Sequence, residues 1–159
     1  MTYGIDTDYL VALEIRDHLH HEGADLLLKR LLDSGHDFAV APQTLAEFIH
    51  VVTDPRRMKE PLEMGEAIQR AESWWQAKEI VRLFPNDRSV SDWLAWLDRH
   101  RLGRRRLLDT LLAATMSSHG IKKLITNNGP DYGVLDAFEI IRYGNSLGGY
   151  TGSSTIPFS

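Results

Sequence analysis

The sequence contains no cysteine. Disulfides, iron–sulfur clusters and thiolate-bound zinc are thereby excluded, and any metal must be held by oxygen or imidazole. No apolar run approaches the ~20 residues that a membrane-crossing helix requires, so no membrane association is expected. The opening Met1-Thr2-Tyr3-Gly4-Ile5-Asp6 lacks the basic start and apolar stretch of a secretory signal, and a cytoplasmic location is expected. An excess of positive charge is also missing. With 18 basic and 22 acidic side chains the net charge is −4, which argues against bulk electrostatic adhesion to nucleic acid or anionic lipid. Internal repeats are absent.

What is present suits one globular domain: 159 residues, 43% hydrophobic and 25% charged, are enough to build a core. The charge is unevenly spread. Five arginines (Arg99, Arg101, Arg104, Arg105 and Arg106) crowd one stretch, and Arg56, Arg57 and Lys59 form a second cluster. Each cluster reads either as a solvated helix face or C-terminus, or as a contact for a polyanion bridged through metal-bound carboxylates.

Hydrophobic spacing gives a coarse element order. A strand at 2–6 leads, through the N-cap types Thr7 and Asp8, into a helix carrying Tyr9, Leu10, Leu13, Ile15 and Leu19 up to a break at Gly23. A second helix is expected over 24–32, a buried strand at 37–41, and a helix from Gln43 to a stop at Asp54-Pro55. Past a polar loop at 54–61 come a helix over 62–78, a strand at 79–84 and a helix from Ser89 or Ser91 to Arg101. Gly103 separates that helix from another over 105–119, and strands at 122–126 and 138–142 flank a turn at 127–131. The Gly-, Ser- and Thr-rich tail, 144–159, is expected to be irregular or partner-dependent, leaving 1–143 as the domain. The pattern describes an α/β layer around a mostly parallel sheet of about five short strands flanked by helices.

In such a sheet the ligand crevice lies at the carboxyl ends of the strands. Asp6 directly follows the first strand, with Asp8 two residues on; Glu47 lies one turn into the helix after the second; Asp109 opens the helix before the fourth; and Asn127, Asn128 and Asp131 occupy the turn after the fourth. Each has a plainer reading. Asp8 is also a good N-cap, Glu47 a solvent-facing helix residue, Asp109 a partner for a helix dipole, and Asn128 and Asp131 ordinary turn residues. Together, though, they bring acids from four segments to one end of one sheet. Mutual repulsion makes such packing costly, and a hard divalent cation with oxygen ligands reverses the cost. Hydrolysis of a phosphodiester is the chemistry such a site favours.

The motifs resemble those of PIN-domain ribonucleases. Ile5-Asp6-Thr7-Asp8-Tyr9-Leu10 is similar to the family's opening strand and Asp-Thr-Asn/Ser motif, and Thr44-Leu45-Ala46-Glu47-Phe48 to its second, glutamate-bearing helix. Leu108-Asp109-Thr110-Leu111-Leu112-Ala113-Ala114-Thr115 resembles the third motif, and Leu124-Ile125-Thr126-Asn127-Asn128-Gly129-Pro130-Asp131-Tyr132 the fourth, usually closed by Asp-Phe. The resemblance covers residues 2–142. It implies a PIN-like fold and Mg²⁺- or Mn²⁺-dependent endonucleolytic cleavage of RNA, with Asp6, Glu47, Asp109 and Asp131 as metal-binding, catalytic acids. The chain's size resembles stand-alone toxins of the VapC type, which implies a cognate antitoxin and a homodimer.

Within that resemblance the fourth acid is open between Asn128 and Asp131, and the extra charge of Asp8 is a compensation for Asn128. Arg104, Arg105 and Arg106 are expected on RNA phosphates, with Thr126 and Asn128 also facing substrate. Trp74, Trp75, Trp93 and Trp96 are expected to pack or form an interface rather than stack bases. Two other classes stay open. One is a metal phosphohydrolase using His18, His20 and His21 or the His36-Asp37 pair; the other is a degenerate PIN-like module that only binds protein.

Overall fold

A computed structural model describes residues 1–144. The expected tail, apart from Gly144, lies outside the described residues. The chain runs β1 (Thr2–Ile5), α1 (Thr7–Glu14), α2 (His21–Asp33), β2 (Asp37–Val40), α3 (Pro42–Val52), α4 (Met64–Gln76), β3 (Ile80–Arg82) and α5 (Asp87–Arg99). A 3₁₀ turn at Arg104–Arg106 then leads into α6 (Leu107–Ser118), β4 (Lys123–Ile125), α7 (Gly129–Gly133) and β5 (Glu139–Ile141).

The five strands form one sheet in the order β3-β2-β1-β4-β5, and every pairing is parallel. Strand alternation sorts the core into two layers. Tyr3, Ile5, Phe38, Val40, Ile125 and Ile141 face α1–α4, while Ala39 and Leu124 face α6 and α7 with Leu112, Ala113, Met116 and Tyr132. Gly4 sits between these registers, opposite Met116, where α6 comes close to the sheet. The central strands are buried almost throughout, whereas the edge strand β3 exposes Val81 and Arg82. Because the chain leaves β1 toward β2 and returns on its other side as β4, the strand order reverses between β1 and β4. The crevice of such a sheet opens at that reversal, at the carboxyl ends of the strands.

Several element boundaries differ from those read in the sequence. The first helix stops at Ile15, whose backbone is extended. Gly23 breaks nothing: it lies inside α2, which begins at His21. His18, His20 and His21 therefore sit in the connecting turn and at the start of α2, not at a helix C-terminus. There the His20 N–H donates to His18 Nδ1 at 3.0 Å, and His21 Nδ1 meets the Ala12 carbonyl at 2.8 Å. Asn86 rather than a serine caps α5, and Ser89 completes its capping box. The tryptophans pack: Trp74 donates to Glu14 Oε1 at 2.7 Å, Trp93 to the Leu107 carbonyl at 2.9 Å, Trp75 lies edge-on to Phe84, and Trp96 joins the α6-side core.

Candidate active site

At the β1–β4 reversal, Asp6 ends β1 and caps α1, its Oδ1 accepting the Thr7 N–H at 2.8 Å. The N-cap is thus Asp6, and Asp8 is released from that task. Thr126, fully buried just past β4, donates from Oγ1 to Asp6 Oδ2 at 2.9 Å and lies 3.3 Å from Asp8 Oδ2. The Asn127 N–H also donates to Asp8 Oδ2, at 2.9 Å, and the Asn128 N–H donates to Thr126 Oγ1 at 2.9 Å. One threonine hydroxyl therefore ties two carboxylates of the first motif to the turn of the fourth.

Thr7 performs the matching task on the other side. Its hydroxyl donates to Glu47 Oε2 at 2.9 Å, so the α1 start fixes the α3 glutamate. Gln43 at the start of α3 donates to the Leu108 carbonyl at 2.6 Å, which joins the second motif to the entry of α6 and hence to Asp109. Asp109 lies half-buried in the first turn of α6, within reach of the charges of Glu47, Asp131 and Asp8.

The electrostatics record this crowding. Burial, followed by the charge of Asp8, lifts the Asp6 carboxyl from 3.8 to about 7, against the lowering effect of the bonds from Thr126 and Thr7. Asp109 rises to about 6, first by burial and then by Glu47 and Asp131, while Arg106 pulls the other way. Asp8 is also raised, chiefly by burial. Two phenols border the acids. Burial and the charge of Asp8 push Tyr143 up, and burial with the charges of Asp6, Asp109 and Asp8 pushes Tyr132 up more strongly. Both hydroxyls therefore stay protonated. Tyr132 Oη is buried near Asp6, short of a well-formed hydrogen bond to any group.

The remaining sequence candidates divide. Asp131 is held on both carboxylate oxygens, by Arg106 Nη1 at 3.2 Å on Oδ1 and by Asn128 Nδ2 at 2.7 Å on Oδ2; Arg106 also donates to the Asp131 carbonyl. The Arg104–Arg106 cluster is accordingly split: Arg106 is engaged inside the site, while Arg104 and Arg105 are exposed. The His36-Asp37 pair stands at the start of β2, the opposite end of the sheet from the acids, where His36 packs edge-on against Tyr3. It has no part in this site. Thr7, Tyr132 and Tyr143 were given no role in the site by the sequence reading; Thr7, the threonine of the Asp-Thr motif, and Tyr132, standing where the resembling motif has Phe, left a signal, and Tyr143 none.

Asp6, Asp8, Glu47 and Asp109 form an all-oxygen donor set, with the positive charge of Arg106, paired to Asp131, acting on Asp109 from the rim. Among the described residues, no three carboxylates or imidazoles stand close enough to enclose an ion on protein atoms alone. Asp8 Oδ1 is nevertheless buried without a well-formed hydrogen bond, although the Tyr143 hydroxyl and the Tyr9 N–H stand near the carboxylate. Raised carboxyls and an incompletely satisfied carboxylate oxygen are what a hard divalent ion that retains several waters would relieve, so the donor set fits Mg²⁺ or Mn²⁺.

Comparisons with known proteins agree with this architecture. Residues 3–129 match the PIN domain. Over 124 residues the chain is 28% identical to Ribonuclease VapC24 of Mycobacterium tuberculosis, an alignment covering 78% of this chain and 84% of that protein. Among solved structures, Mycobacterium tuberculosis VapC20, a sarcin–ricin loop cleaving toxin, superposes with a TM-score of 0.66 at 18% identity, over 89% of this chain and 99% of that one. VapBC2 from Rickettsia felis, solved on a DNA fragment from its promoter, gives 0.65 at 15% identity, over 90% and 99%. With the match spanning the segments of Asp6, Glu47 and Asp109 and ending at Gly129 in the turn after β4, the chain belongs to the PIN domain family.

Proposed function

We propose that this PIN-domain protein is a Mg²⁺- or Mn²⁺-dependent endoribonuclease, the toxin of a toxin–antitoxin pair. One observation carries the reading: acids from three separate segments, Asp6, Glu47 and Asp109, converge at the strand-order reversal, where burial and neighbouring acids lift the carboxyls of Asp6 and Asp109. These three would hold the cation. When bound, such an ion activates water, neutralises the non-bridging phosphate oxygens and stabilises the leaving alkoxide.

The chain's own residues do the positioning. Thr126 fixes the orientation of Asp6, and Thr7 that of Glu47. Because the free Asp6 carboxyl is raised to about 7, it keeps a proton in part of the population near neutrality, while Asp109, at about 6, does so only below it; cation uptake is coupled to release of those protons. Arg104 and Arg105 are exposed at the entry of α6, one turn from Asp109, and are the arginines free to meet RNA phosphates. Arg106, Asn128 and Asp131 act as a connected rim rather than as separate substrate contacts.

Cleavage of a mixed RNA pool with Mn²⁺, and its loss with a chelator, tests the reading. Asp6→Asn and Glu47→Gln should each lower cleavage by about 100-fold or more, in line with removing a group at a bound metal. Neutralising Arg104 and Arg105 should weaken RNA binding and flatten its salt dependence. Full activity in both acid variants refutes the nuclease assignment.

An antitoxin and a homodimer belong to the same reading. The apolar side chains left exposed on α2 (Leu26), α4 (Met64, Ile68) and α5 (Val90, Leu94) support such interfaces. Light scattering should give twice the monomer mass; a monomer at micromolar concentration contradicts the dimer.

A further inference from the structure

Asp131 and Asp8 stand in opposite conditions. Asp131, the closing acid of the fourth motif, has both carboxylate oxygens taken by Arg106 and Asn128. A cation there would first have to displace a guanidinium and an amide. Asp8 is fixed just as firmly but on one side only. Its Oδ2 takes the Asn127 N–H and approaches the Thr126 hydroxyl that also holds Asp6, while its Oδ1 is buried without a well-formed hydrogen bond, the Tyr143 hydroxyl and the Tyr9 N–H standing near the carboxylate. A carboxylate oxygen withdrawn from water without a well-formed bond is costly unless a ligand completes it.

A second side chain points the same way from a different element. Tyr132 is 1% exposed on α7, and its hydroxyl, near Asp6, also lacks a well-formed hydrogen bond. An acceptor and a phenol without well-formed hydrogen bonds, beside one group of carboxylates, would be satisfied by a ligand that brings both positive charge and oxygen. A hydrated divalent cation meets both needs.

We infer that Asp8, rather than Asp131, is the fourth carboxylate of the cation site, and that Asp131 serves to anchor Arg106 and Asn128. Asn128 leaves the fourth motif one charge short, and the first motif restores it two residues after Asp6. This assignment rests on the divalent-cation reading proposed above.

Calorimetric titration of Mn²⁺ into the full chain and into Asp6→Asn, Asp8→Asn and Asp131→Asn separates the two claims. Mn²⁺ affinity should fall on the order of 10–100-fold in Asp6→Asn and Asp8→Asn, and stay near the wild-type value in Asp131→Asn. Melting adds a readout independent of cleavage. Without metal, Asp8→Asn should melt no lower than the wild type, since a buried like charge is gone; Mn²⁺ should raise the melting temperature of the wild type and Asp131→Asn but hardly that of Asp8→Asn. Wild-type affinity in Asp8→Asn alongside a weakened Asp6→Asn overturns the assignment and leaves the cation reading standing. So does a loss in Asp131→Asn as large as that in Asp8→Asn, or a metal-free Asp8→Asn that melts well below the wild type. A wild type that takes up no Mn²⁺ removes the cation reading itself.

Discussion

At Asp6, burial and the charge of Asp8 hold the carboxyl at about 7, far above the 3.8 of an unfolded chain. Between those values the folded state binds protons that the unfolded state has released. Unfolding free energy therefore falls as pH rises through that window, and Asp109, held at about 6, adds to the fall. Without metal the protein should be less stable at about pH 8 than at about pH 5, by on the order of a few kcal/mol. Thermal unfolding in a chelator across that range checks it, and Asp6→Asn should remove most of the slope. A stability that rises with pH would contradict the crowded-acid description. The chain itself made much of this site legible: Asp6, Glu47 and Asp109 stand where strands end or helices begin, inside motifs with recognisable neighbours. The division of labour between Asp6 and Asp8 was not legible. Both residue types cap helices well, and only the backbone course past Ile5 decides that Asp6 takes the Thr7 N–H. Nor does the run Arg104-Arg105-Arg106 reveal that its last member turns inward to Asp131, since that pairing spans 25 residues of sequence.

Among the elements, β1 and α6 show how closely the site's supports are packed. A Cβ added at Gly4 would stand 2.6 Å from Met116 Sδ and 3.3 Å from Ile121 Cγ2, both inside the core. Gly4→Ala should cost about 1–3 kcal/mol by overpacking, read as a lower denaturation midpoint with the slope unchanged; unaltered stability would mean that α6 can retreat from the sheet. The strands were readable because their apolar runs are short and bounded by turn residues, and α3 because Pro42 opens it and Asp54-Pro55 follows it. The α1–α2 boundary was not. Leu19 continues the apolar spacing of α1 and suggests a longer helix, yet it is exposed, and the turn before α2 is set by hydrogen bonds among His18, His20, His21 and the Ala12 carbonyl. Gly23 then falls within α2, where its conformational freedom lowers helix preference without ending the helix.

For the molecule as a whole, what matters is the strand order. Element types could be read along the sequence, but the order β3-β2-β1-β4-β5 could not, because it depends on which side of β1 each later strand joins. That choice brings residues 6 and 126 together across 120 positions and turns four separate motifs into one acidic crevice. The direct test of this account is crystallographic: crystals soaked in Mn²⁺ and measured at a wavelength where manganese scatters anomalously. A peak at roughly 2 Å from carboxylate oxygens of Asp6 and of Asp109 or Glu47 is the predicted result. A crevice without a peak at saturating Mn²⁺, or with those acids turned apart from one another, would contradict it.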